Sequence, residues 1–177
     1  MIDQFVQKAL DFGFSHAGPM DPRTLEVRTE VRQMCASNLC HAYGRSWSCP
    51  PAVGSLAEHR LTIERYSIGL IVQYTAELDD PYDFETMQAA DRRQSRLLAG
   101  FRRVLWPHFP DLLALGNGPC SICKTCTYPD TPCRFPKLLI ESMEAFGLVV
   151  SDVCTANGLG YYYGPETITY TGCYLLK

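Results

Sequence analysis

Four cysteines between positions 120 and 133 restrict this 177-residue chain more than any other feature of it. Cys120, Cys123 and Cys126 are each separated by two residues, and Cys133 follows after six more. A C-x-x-C pair can present two thiolates to one metal. A third thiolate at the same spacing reaches more naturally for the separate iron corners of a cluster, and iron–sulfur proteins carry runs of this kind. Zinc sites more often use two C-x-x-C pairs set well apart. Gly116, Gly118, Pro119, Pro129, Pro132 and Pro136 mark the stretch as a stiff loop, whose backbone N–H groups can point at sulfur. Cysteine is also an ordinary small apolar core residue, but packing asks for no set of four thiols in such a loop. The expectation is a [4Fe–4S] cluster on Cys120, Cys123, Cys126 and Cys133, with a closed structural zinc site as the alternative.

A second group, Cys35, Cys40 and Cys49, lies at spacings that match no simple zinc pattern. Tyr43-Gly44, Trp47 and Pro50-Pro51 make its surroundings aromatic and turn-rich rather than helical or extended. Three thiolates leave a four-coordinate site one ligand short. Either Cys154, Cys173 or His41 completes it, or one iron corner stays open to a small ligand. Buried cysteines packed beside Trp47 are the non-metal alternative. With both groups loaded the chain carries two clusters; with the first alone, one.

An apolar share of 46% is enough for the core of a single domain spanning 1–177. No segment reaches the length of a membrane span, and Met1-Ile2-Asp3-Gln4 lacks the basic and apolar regions of a secretory signal. A net charge of −3 without a basic block excludes an obvious nucleic-acid surface. The expected location is cytoplasmic, where nine cysteines argue for metal or redox chemistry rather than disulfides. Nothing in the residues fixes the oligomeric state.

The expected fold is α+β, with a mixed or antiparallel sheet of about four or five strands and four or five helices. Apolar residues at helical spacing give a helix over 2–12, stopped by Gly13. A short strand is expected at 14–18, then a helix from the Asp21-Pro22 cap to about Met34. The capping box Ser55-Leu56-Ala57-Glu58 opens another, to about Tyr66. Residues 67–76 form the clearest strand, and 84–106 a long helix with Met87, Leu97, Leu98, Phe101 and Leu105 on one face. A strand at 112–115 delivers the chain into the Cys120 loop. Pro136 is expected to open a helix that Gly147 stops, with strands at 148–153 and 168–175. Both cysteine loops belong at an end of the sheet. Gly158, Gly160 and Gly164 lack the strand–GxGxxG–helix setting of a dinucleotide loop.

Two blocks then resemble a known family. The first is Cys35, Cys40, Tyr43-Gly44, Trp47 and Cys49-Pro50-Pro51-Ala52-Val53-Gly54. The second is Cys120, Cys123, Cys126, Pro132-Cys133-Arg134-Phe135-Pro136 and Ser142-Met143-Glu144-Ala145-Phe146-Gly147. Together they are similar to the prokaryotic predicted metal-binding proteins catalogued as domain of unknown function 2284. The resemblance covers nearly the whole chain. It implies metal binding through both cysteine groups, as iron–sulfur clusters, without a settled reaction. The resulting expectation is an electron-transfer protein or iron–sulfur oxidoreductase that serves a redox partner protein or a small-molecule ligand. The alternative is a zinc-stabilised interaction module without redox activity. No pair of acidic or basic side chains stands out as a general acid or base.

Overall fold

The sequence places two long strands at the centre of one sheet. In the computed structural model, which describes residues 2–177, β2 (Ile68–Glu77) and β5 (Thr167–Leu176) pair antiparallel over ten positions, from Ile68↔Leu176 to Glu77↔Thr167. β1 (His16–Met20) adds to the free edge of β2, and β3 (Leu113–Gly116) to that of β5, both antiparallel. A two-residue β4 (Glu141–Ser142) completes the order β1-β2-β5-β3-β4 by pairing parallel with β3. The sheet is mixed and the class α+β, as expected.

Both faces are covered, and period-2 alternation sorts the strand residues between them. Leu70, Val72, Ala114, Tyr174 and Leu176 join one apolar layer with Phe5 and Ala9 of α1 (Ile2–Phe12) and Leu97, Leu98, Phe101 and Leu105 of α4 (Phe84–Leu105). Ile71, Leu115, Cys173 and Leu175 point the other way. They pack on Ile63 of α3 (Leu56–Ile63), Met143, Phe146, Leu148, and Val153 and Cys154 of α5 (Val150–Ala156). The Ser55 capping box forms, with the Ser55 hydroxyl accepting from Glu58 N–H and Glu58 accepting from Ser55 N–H. No helix is long and apolar enough to cross a membrane among the described residues.

Three expected elements differ. Asp21 does cap a turn, accepting from Arg23 N–H, but that turn is a 3-10 segment, Pro22–Thr24. The helix that follows, α2, is confined to Thr29–Ala36. Leu25 is buried, and Arg28 N–H bonds the Gly147 carbonyl at 2.8 Å, so tertiary contacts pull residues 25–28 out of helical geometry. Pro136 opens only a three-residue 3-10 turn, because Glu141 and Ser142 leave it to pair with Leu115 and Gly116. The segment read as a strand at 148–153 is instead the start of α5. Its buried Val153 and Cys154, with Val150 and Asn157, follow a helical period that the run of valines conceals.

Candidate metal centre

Parallel pairing of β3 and β4 sends both strands out of the sheet on the same side. Just beyond Gly116, β3 enters the loop of Cys120, Cys123, Cys126 and Cys133. Beyond Ser142, β4 enters a tight turn, Met143–Gly147, fastened by Met143 N–H to the Gly116 carbonyl at 2.9 Å. Gly147 closes this turn at φ +81°, where a Cβ would meet the Arg28 carbonyl at 2.9 Å; only glycine fits there. The segment from α2 to α3, which carries Cys35, Cys40 and Cys49, folds over the same end. Both cysteine loops therefore meet at one end of the sheet.

The four cysteines of the later loop line a single cavity with Ser46, Ile122 and Phe135. Its volume is ≈ 20 Å³, room for about one water. All four are half-buried free thiols. Burial pushes the Cys126 thiol up, but N–H groups of Trp47, Tyr128 and Thr127 and the Ser46 hydroxyl outweigh it and hold the pKa below its usual value. Those donors favour the thiolate, the form that binds metal. Arg134 ties the loop across itself, donating to the Thr125 carbonyl at 2.8 Å. On the sheet side, Arg102 is half-buried near Cys120 and donates to the Leu139 carbonyl.

The earlier cysteines feel one another's charge but do not close on a single point. Cys35 ends α2, Cys49 is buried and Cys40 exposed. The charges of Cys40, Cys35 and Glu144 all push the Cys49 thiol up, after burial itself, to about 11. Cys35 is raised by burial and then by Glu144 and Cys40, with Arg32 opposing. Arg32 is half-buried, without a carboxylate partner among the described residues. Its guanidinium instead donates to the carbonyls of Ala145 and Gly54 and contacts His59 Nδ1 at 3.1 Å, leaving its charge available to offset thiolates. An open groove runs along the same segment, lined by Arg32, Ala36, Tyr43, Pro50 and Pro51 among others, with none of the three cysteines in its lining.

A serine–tryptophan bridge joins the two groups. Ser48 Oγ accepts from Cys120 N–H at 2.7 Å, shares a 2.8 Å bond with Ser46 Oγ, and lies 3.8 Å from Cys49 Sγ. Between them, Trp47 donates from Nε1 to the Thr131 carbonyl and stands edge-on to Tyr128 at 4.9 Å. Sequence reasoning named Trp47 and Glu144 as context only and gave Ser46, Ser48, Arg32 and Arg102 no part in the site. The available signal was position: the serines alternate with Trp47 immediately before Cys49, and Glu144 stands inside the second family-like block.

Cys154 and Cys173 are not brought to either loop. They lie in the core with no exposure. Gln73 Nε2 donates to Cys154 Sγ at 3.4 Å, and burial pushes the Cys173 thiol up to about 12. His41 is exposed, at φ +57°. Among the described residues, no three His, Cys, Asp or Glu side chains converge as a single-ion site would require. The donor chemistry nevertheless suits a soft metal: gathered thiols, N–H groups aimed at sulfur, and two cations without acidic partners.

Neither a curated protein nor a solved structure matches the chain. A family model does, over residues 19–176, which include every cysteine of both groups. The chain belongs to the predicted metal-binding protein family, domain of unknown function 2284.

Proposed function

We propose that this chain is an iron–sulfur protein in which Cys120, Cys123, Cys126 and Cys133 hold a [4Fe–4S] cluster and Cys35, Cys40 and Cys49 hold a second metal site. The observation that carries this reading is the shared cavity, which four thiols face from one loop although they do not close on a point. Thiolates spread around a common centre fit the corners of a polynuclear core better than the short reach of one ion. Such a cluster supplies one-electron transfer. The chain's own residues hold it and tune it: donors around Cys126 stabilise thiolate charge, Arg102 adds a cation near Cys120, and the half-buried Ile122 and Leu139 limit access of water. The groove along the segment of Cys35, Cys40 and Cys49 is the entry for a small-molecule ligand, and the half-exposed rim of the other loop is the approach for a redox partner protein. A second reading, one zinc ion on Cys120, Cys123, Cys126 and Cys133, is favoured by the small volume of the cavity. A cubane must part the loop to enter.

Anaerobic purification with iron, sulfide and zinc analysis separates the two. The iron–sulfur reading expects brown protein with a broad shoulder near ~400 nm, and Cys123→Ser is expected to lose the iron and sulfide of one cluster because serine is a harder ligand. Colourless protein with about one zinc per chain, or a serine variant with full iron and sulfide, would overturn it.

A further inference from the structure

We propose that the Glu144 carboxylate is the fourth ligand of the Cys35, Cys40 and Cys49 site, so that metal there is held by three thiolates and one oxygen. The inference rests on the reading of those cysteines as a metal site. Its starting point is an atom without a partner. Glu144 Oε2 is buried and makes no hydrogen bond, a costly arrangement for a carboxylate oxygen. None of the three ion pairs among the described residues includes it, and Arg32, the nearby cation, is engaged by carbonyls and His59.

Glu144 also stands beside one of the three cysteines. Cys35 Sγ lies 3.9 Å from the Glu144 carbonyl oxygen, which brings the end of α2 against the turn after β4. The turn is fixed by the Met143 and Gly147 contacts described above, and by Ala145 N–H to Ser142 Oγ at 2.9 Å. The side chain therefore starts from a rigid support, as a ligand should. Two other candidates fail on position: Cys154 and Cys173 are committed to the core. One hard oxygen among three soft thiolates is the donor a small ligand displaces most readily.

The test uses the full chain, made metal-free without air, loaded with iron(II) and sulfide, then challenged with a chelator. Glu144→Gln is expected to release, roughly 10- to 100-fold faster than wild type, the same fraction of iron that Cys40→Ser releases. Iron on the Cys120 loop is expected to stay. Glu144→Cys is expected to retain that fraction and to gain thiolate-to-iron absorption. Metal-free Glu144→Gln is expected to melt no lower than wild type, because a buried unpaired carboxylate is removed; a merely structural glutamate would show the reverse. If Glu144→Gln holds iron as wild type does while Cys40→Ser loses it, the metal site stands and the glutamate ligand is refuted. If Cys40→Ser also loses nothing, the underlying metal reading fails and takes the proposal with it. Should Glu144→Gln not fold, Glu144→Cys decides: an unchanged spectrum overturns the assignment.

Discussion

Two titratable residues near the Cys35 group pull stability in opposite directions with pH. His59 is buried, stacked on Phe146 at 3.8 Å and faced by Arg32; burial and then that cation lower its pKa to about 4. Its folded pKa lies below its unfolded value of 6.5, so the stability it contributes is complete above pH 6.5 and disappears as pH falls toward 4. Glu141 is raised by burial from 4.5 to about 7, with Arg32 opposing. Its contribution is complete below pH 4.5 and is lost as pH rises through 7. Each span is worth about 3 kcal/mol at 1.36 kcal/mol per pKa unit, so the two largely cancel. Denaturant melts of metal-free protein between pH 4.5 and 7 are expected to show a shallow slope for this pair. In His59→Gln stability is expected to fall as pH rises, and in Glu141→Gln to rise. Identical slopes in the two variants would show that neither group titrates as described.

At the scale of elements, what was legible followed from local chemistry. The Ser55 capping box and the continuous apolar run of β2 are satisfied within a few residues, so propensity and outcome agree. Replacing Ser55 by alanine is expected to cost about 1 kcal/mol, read as a lower denaturation midpoint with unchanged slope. Elements read wrongly were decided from a distance. The 136–147 segment has a good helix start in Pro136, but the edge of β3 offers Glu141 and Ser142 ladder hydrogen bonds. The valines before α5 favour a strand by β-branching, while burial of Val153 and Cys154 beneath β5 favours a helix. The misread helix also removes the helix N-terminus that would have followed Cys133. Positive charge near that loop comes instead from Arg102 on α4, which no local pattern could reveal. The two cysteine groups, by contrast, were legible from their spacing alone; Ser46, Ser48 and Glu144 were not, because their contacts come from other segments.

On the whole-molecule scale the chain divides into a sheet with helices packed on it and an end built of loops. β2, β5, α1 and α4 share one apolar layer, whereas residues 117–140 carry no regular element beyond the turn Pro136–Leu138. That loop is tied to the rest by a few side-chain bonds: Asn117 to Asp91, Trp47 to Thr131, Cys120 N–H to Ser48, and Arg102 to Leu139. Bonds so few leave local opening inexpensive. A metal bound across Cys120 to Cys133 closes the loop on itself, and binding to the closed form alone shifts the opening equilibrium by mass action. Lys124, Arg134 and Lys137 are exposed within this segment, so trypsin can report the opening. Metal-loaded protein is expected to resist cleavage there, and chelated protein to be cut at those residues before any site in α4, despite the arginines that helix carries. Ser48→Ala is expected to raise the cleavage rate of loaded protein, because the part-buried Cys120 N–H loses its acceptor at a cost of about 1–3 kcal/mol. If chelation left the order and rate of cleavage unchanged, the loop would owe its closure to its own packing, and metal would have no part in holding this end of the fold together.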